Sequence, residues 1–129
     1  MRFQLWSLIL VLVLAGCGGM ATASRGGGAN MIASELIREA SAEGLNVYQV
    51  IERNRPQWLN AGRSAPTMGY GEGGRFARVV LNGSLYGDLR DLRRLNTVEV
   101  TSIEYMSASD ATTRFGTGYA GGAIVVSTR

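Results

Sequence analysis

Gly121-Gly122-Ala123-Ile124-Val125-Val126-Ser127-Thr128-Arg129 is the stretch that decides the fold. A β strand sends alternate side chains to opposite faces. From Ala123 to Thr128, Val125 points one way and Ile124 and Val126 the other, so both faces are largely apolar. A strand buried on both faces is the centre of a sheet with cover on each side. The glycine pair before it lets another segment cross at close range, because no Cβ stands in the way.

Working outward, residues 76–81 are apolar and β-branched and predict a second strand. Asn82-Gly83 then supplies the positive backbone angles of a tight turn. Leu89, Leu92 and Leu95 mark a short helix. Residues 103–107 read as another strand, entered through Val98 and Val100. Ser109 or Asp110 can cap a further short helix that runs to Arg114 and is stopped by Gly116.

Towards the amino terminus, Ala33, Leu36, Ile37 and Ala40 share one helical face, which predicts a helix over 31–43, opened by Asn30 and stopped near Gly44. Asn46 starts a second helix that turns Val47, Val50 and Ile51 inward until Pro56 ends it. Trp58 and Leu59 pack beyond that end, with Trp58 read as a core lid in preference to a ligand platform. Residues 60–75 hold five glycines and one proline and form a loop. Together these elements predict an α+β domain, a small mixed β-sheet with short helices.

The chain has 129 residues and a single cysteine. Arg2, the apolar run of residues 5–14 interrupted by Ser7, and Leu14-Ala15-Gly16-Cys17 resemble the signal segment of bacterial lipoproteins. The apolar run is too short to span a bilayer as a stable helix. The resemblance implies that the Cys17 sulfur takes a diacylglyceryl group, that residues 1–16 are removed, and that the new amino terminus is acylated, palmitate being the expected chain. Several buried acyl chains, at about 0.8 kcal/mol per methylene, anchor firmly. Gly18 stands where lipoproteins retained at the inner membrane carry aspartate, so the resemblance points to the outer membrane. Residues 17–30 are then a lipidated tether rich in small residues, and 31–129 a single domain.

Composition removes most chemistry. All thirteen basic residues are arginine, ten residues are acidic, and the formal charge of +3 becomes +2 once Arg2 leaves with the signal. That mild excess does not argue for nucleic acid. Arg90, Arg93 and Arg94, interleaved with Asp88 and Asp91, read as a solvated helix face. There is no histidine, and a lipidated Cys17 leaves no thiol, so His or Cys metal sites and Ser-His or Cys-His nucleophile pairs are excluded. Glu35 and Glu39 lie one helical turn apart, but beside Arg38 they read as surface charge. No catalytic, metal or cofactor residues are assigned, and an enzyme is not expected. Two stretches fit G-x-G-x-x-G, at Gly69, Gly71 and Gly74 and at Gly116, Gly118 and Gly121. Neither follows a strand and opens a helix, as dinucleotide binding requires; close chain approach is the better account.

The order Val79-Val80-Leu81-Asn82-Gly83, Ile103-Glu104-Tyr105, Thr113-Arg114-Phe115-Gly116 and Gly121-Gly122-Ala123-Ile124 resembles the plug domain of TonB-dependent outer-membrane receptors. In that family a strand ending in an Asp-Gly turn is followed by a helix, an Ile-Glu strand, a small-residue helix ending in Tyr-Gly or Phe-Gly, and a Gly-Gly-x-Ile strand. The resemblance covers residues 76–129. Asn82 replaces the usual aspartate, no TonB-contacting box is evident, and the helices of residues 31–54 lie outside the pattern. No barrel strands can be written from these residues. The expectation is therefore a lipid-anchored outer-membrane lipoprotein facing the periplasm, with a standalone plug-like domain serving as a non-catalytic accessory module. Its expected partners are outer-membrane lipid, through acylated Cys17, and a barrel receptor of TonB-dependent transport. The alternative is a lipoprotein that binds a metabolite or glycan under residues 60–74, with Arg63, Tyr70 and Tyr119 as contacts.

Overall fold

A computed structural model describes residues 28–62 and 75–129 of the chain. The protein is a small α+β domain built on one open, mixed, five-stranded sheet. Its elements, in chain order, are β1 (Met31–Ile32), α1 (Ser34–Ala42), α2 (Val47–Asn54), α3 (Pro56–Leu59), β2 (Arg78–Leu81), β3 (Ser84–Asp88), two 3-10 turns (Leu89–Arg94 and Thr97–Glu99), β4 (Val100–Met106), α4 (Ala108–Phe115) and β5 (Ala123–Thr128). The strand order is β1-β4-β5-β2-β3. β5 lies at the centre, antiparallel to β4 and parallel to β2.

The two faces of β5 behave as its sequence predicts. Ile124 and Val126 join the larger core, where α1, α2 and α3 deliver Ile37, Val50, Ile51 and Trp58 onto the sheet. Ala123 and Val125 enter a smaller core with Val80, Ala111 and Tyr119 under α4. Ile124, Val126, Val50 and Ile51 are fully buried.

Local chemistry explains the helix ends. At α2 the Asn46 side chain accepts from the Gln49 N–H and the Gln49 side chain accepts from the Asn46 N–H, both at 3.0 Å. This reciprocal cap satisfies two otherwise orphaned donors. α1 ends at Ala42 and is closed by Gly44, whose φ of 72° lets its N–H reach Ser41 and the Leu45 N–H reach Ala40. Pro56 stops α2 and then serves as the first residue of α3, where a missing N–H costs nothing.

Several boundaries differ from the predicted ones. Met31 and Ile32 are not helical: they pair with Glu104 and Ile103 as an edge strand, while the Asn30 carbonyl accepts from the Tyr105 N–H and not from a helix start. Burial of Ile32 against β4 outweighs the weak helical preference of those residues. Phe76 precedes the strand and is exposed. Val98 belongs to a 3-10 turn and is 59% exposed, because β4 starts only at Val100. The cap of α4 is Ser107, whose hydroxyl accepts from the Asp110 N–H at 3.2 Å. Finally, residues 84–88 continue past the turn as a full strand, β3.

Candidate functional site

Asn82 (φ 50°) and Gly83 (φ 85°) form a two-residue hairpin turn between β2 and β3. Two positive angles match the turn to the strand twist. The Asn82 amide group also binds Thr128 on β5, accepting from its N–H and donating to its hydroxyl, both at 2.9 Å. Asparagine here is therefore more than a substitute for aspartate, since the N–H donor of its amide is used.

Among the described residues, β3 pairs with β2 on one side and with no strand on the other. Its register shifts at Val79/Val80, so that Val80 meets Leu85, Val79 meets Gly87, and Tyr86 is the extra residue of a bulge. Leu85 is 53% exposed and Tyr86 40%. Such an edge presents unpaired backbone donors and acceptors together with apolar side chains.

Beside this edge lies an open cleft of about 480 Å³, bounded by the β2–β3 hairpin and by the end of α4 with the turn that follows. Leu85 forms one wall. Phe115 and Tyr119 form the other, their rings 5.6 Å apart. Gly116 and Gly118, at φ 89° and 103°, fold the chain back so that Tyr119 returns beneath Phe115. Two guanidinium groups border the cleft. Arg78 donates to Asp88 at 3.3 Å, across the register pair that joins β2 to β3. Arg114 lies 5.3 Å over the Phe115 ring, a cation–π arrangement that leaves its in-plane N–H groups able to bind an acceptor.

Cys17, Arg63, Tyr70 and the glycines Gly69, Gly71 and Gly74 lie outside the described residues, so most of the predicted ligand loop and the lipidation site have no structural account here. Tyr119 is described, and it is largely buried against Phe115 as part of the cleft wall. Gly121 lies against the backbone of Phe76 and Ala77, and Gly122 against the Met106 carbonyl, which is the close crossing expected of these glycines. Trp58 is a core residue, stacked on Tyr105 at 5.8 Å. In the Leu89–Arg94 turn, Arg93 covers the Tyr48 ring at 4.5 Å and Arg94 pairs with Asp91 at 3.7 Å. Glu35 pairs with Arg38 on the exposed face of α1. Burial raises the Tyr105 phenol above its ordinary value; its hydroxyl donates to the Gly121 carbonyl at 3.2 Å.

Among the described residues there is no group of three or more His, Cys, Asp or Glu side chains placed to hold a metal ion, and no helix is long and apolar enough to cross a membrane. Leu85 and Tyr86 escaped the sequence reading. The available signal was the Asn82-Gly83 pair itself, which between apolar residues marks a hairpin and so requires a second strand. No protein-family model, curated protein or solved structure matches the chain.

Proposed function

We propose that the chain is a lipid-anchored, non-catalytic module of the bacterial outer membrane, facing the periplasm. In this reading its plug-like domain takes an extended segment of another envelope protein as an added strand along β3, and a barrel receptor of TonB-dependent transport is the partner. The observation that carries this is β3, an edge strand with Leu85 and Tyr86 exposed beside an open cleft. Strand addition supplies affinity through backbone hydrogen bonds and specificity through alternate side chains, and it needs no catalytic group. The plug-like assignment is supported by the element order, in which strand, Asn-Gly turn, β3, two 3-10 turns, strand, α4 and Gly-Gly strand succeed one another, an order that matches the family pattern apart from the added strand β3. The anchor reading is supported by Leu14-Ala15-Gly16-Cys17.

Crosslinking of the tagged protein in its native envelope, with partners identified by mass spectrometry, tests the proposal. A dominant outer-membrane barrel partner is expected, and its loss on Leu85→Lys with Tyr86→Lys places the contact on β3. Absence of any partner above background sinks the reading. Cys17→Ala is expected to move the protein to the soluble periplasm or leave it unprocessed. Tight membrane attachment of a fully processed C17A protein would refute the anchor.

A further inference from the structure

Building on the strand-addition reading, we infer that the segment taken at β3 carries an acidic side chain, received in the adjoining cleft by Arg114. The cleft and the edge are continuous, because Leu85 belongs to both. A strand laid along β3 sends alternate side chains to the face on which the cleft opens. There they meet an apolar wall of Leu85, Phe115 and Tyr119 and the Arg114 guanidinium, with no carboxylate among the described lining side chains.

Three acids of the described residues near this end of the sheet have partners other than Arg114. Asp88 accepts from Arg78 outside the cleft lining, Asp91 accepts from the Asp88 N–H in the capping of the first 3-10 turn, and Asp110 binds Ser107 at the opposite end of α4. Arg78 is taken up by Asp88, whereas Arg114 is steadied by the Phe115 ring and so is positioned before a partner arrives. A positioned guanidinium favours a planar acceptor, and a carboxylate offers one in protein form. A free inorganic anion or a lipid headgroup would use the charge alone. It would leave the backbone of β3 and the apolar wall without a role, which is why a polypeptide is favoured.

The test uses the full lipidated chain in its native envelope, with the photocrosslinking residue p-benzoylphenylalanine placed at Tyr86, on the edge, or at Thr117, on the cleft rim. The crosslinked segment is sequenced from each. The expected result is one partner segment captured from both positions, with Asp or Glu within about three residues of the Thr117 crosslink. Arg114→Glu should then lower capture about tenfold, the order expected when attraction in a half-open site becomes repulsion. Changing the partner's acid to Arg should restore capture by R114E. An unchanged circular-dichroism melt verifies that R114E is folded, and Arg114→Gln replaces it if it is not.

Capture from both positions that is indifferent to R114E, or a segment without an acid in reach, overturns the acidic-residue inference and leaves the strand-addition reading intact. Capture of lipid alone at Thr117 also overturns it. Failure to capture any segment from either position overturns both.

Discussion

Replacing Ile124 by alanine removes three carbon atoms from the middle of the central strand. At about 0.8 kcal/mol for each buried methylene the transfer loss alone is about 2.4 kcal/mol. The site cannot collapse freely, because Ile124 is fully buried, pairs with Tyr105 on β4 and Val79 on β2, and packs in the core under α1 to α3. The residual cavity raises the expected cost to about 3–4 kcal/mol, inside the usual range for such truncations. Val125→Ala, one residue along, removes two carbons from the other face, where the core is smaller and Val125 retains 8% exposure. Its expected cost is about 1.5 kcal/mol. For a domain of this size these values correspond to melting-temperature losses of roughly 12–30 °C and 6–12 °C. The assay is urea unfolding of the chain from Gly18 onward, in which Trp58 is the sole tryptophan and reports on the same core. Equal slopes and a larger midpoint shift for Ile124→Ala are expected. A Val125→Ala cost equal to or above that of Ile124→Ala would refute the assignment of the two faces.

The Tyr105 phenol is raised by burial, so the folded state holds its proton more tightly than the unfolded chain. That contribution to stability is complete below the ordinary tyrosine value of about 10 and is lost as pH rises from there through the raised folded value. Tyr105→Phe should therefore flatten the decline of melting temperature above about pH 10 and cost about 1 kcal/mol at neutral pH through the lost Gly121 bond; an unaltered alkaline slope contradicts this. Gly121→Ala should be the more damaging of two glycine substitutions, because its Cβ would stand 2.6 Å from the Phe76 carbonyl oxygen and 2.7 Å from the Ala77 nitrogen. Gly83→Ala meets open space and only the φ of 85°, at about 1 kcal/mol. Thermal melts of the two single variants compare them, and the reverse order would show that the crossing at Gly121 is not tight.

How much of this was legible depended on where the stabilising contacts lie. β5 could be read because a strand with two apolar faces has only one place in a sheet, and α2 because Asn46 and Gln49 satisfy each other within one turn. β1 could not: its two residues become a strand only by pairing with residues 103 and 104, far along the chain. β3 reads Ser-Leu-Tyr-Gly-Asp, with no clean alternation, since it is exposed and bulged and has no buried face to impose one. Ser107 looked like the end of a strand, and only the backbone's change of direction turns it into a cap. The cleft suffered the same fate. Arg78, Leu85, Arg114 and Phe115 come from three elements, and no local spacing brings them together.

The openness of that face follows from simple dimensions. Five strands at about 4.8 Å span roughly 19 Å, whereas one helix with its side chains is about 10 Å across. On the side of Ile124 three helices and a 3-10 turn share the task, and the core there is extensive. On the side of Val125 α4 is the only helix among the described residues, and its buried Ala111 packs over Val80, Ala123 and Val125 and does not reach β3 in that core. Among the described residues, Val80 of β2 is still buried beneath α4, and it is β3 that is left uncovered on that face. Exposed apolar edges of this kind invite either a specific strand or aggregation, and proteins that keep one usually restrict access with a bulge or with charge. Here both restrictions are present, in the bulge at Tyr86 and in Arg78 and Arg114, and neither closes the edge. On the proposed strand-addition reading they narrow which strand the edge accepts, and that places specificity in the residues that line the edge and its cleft.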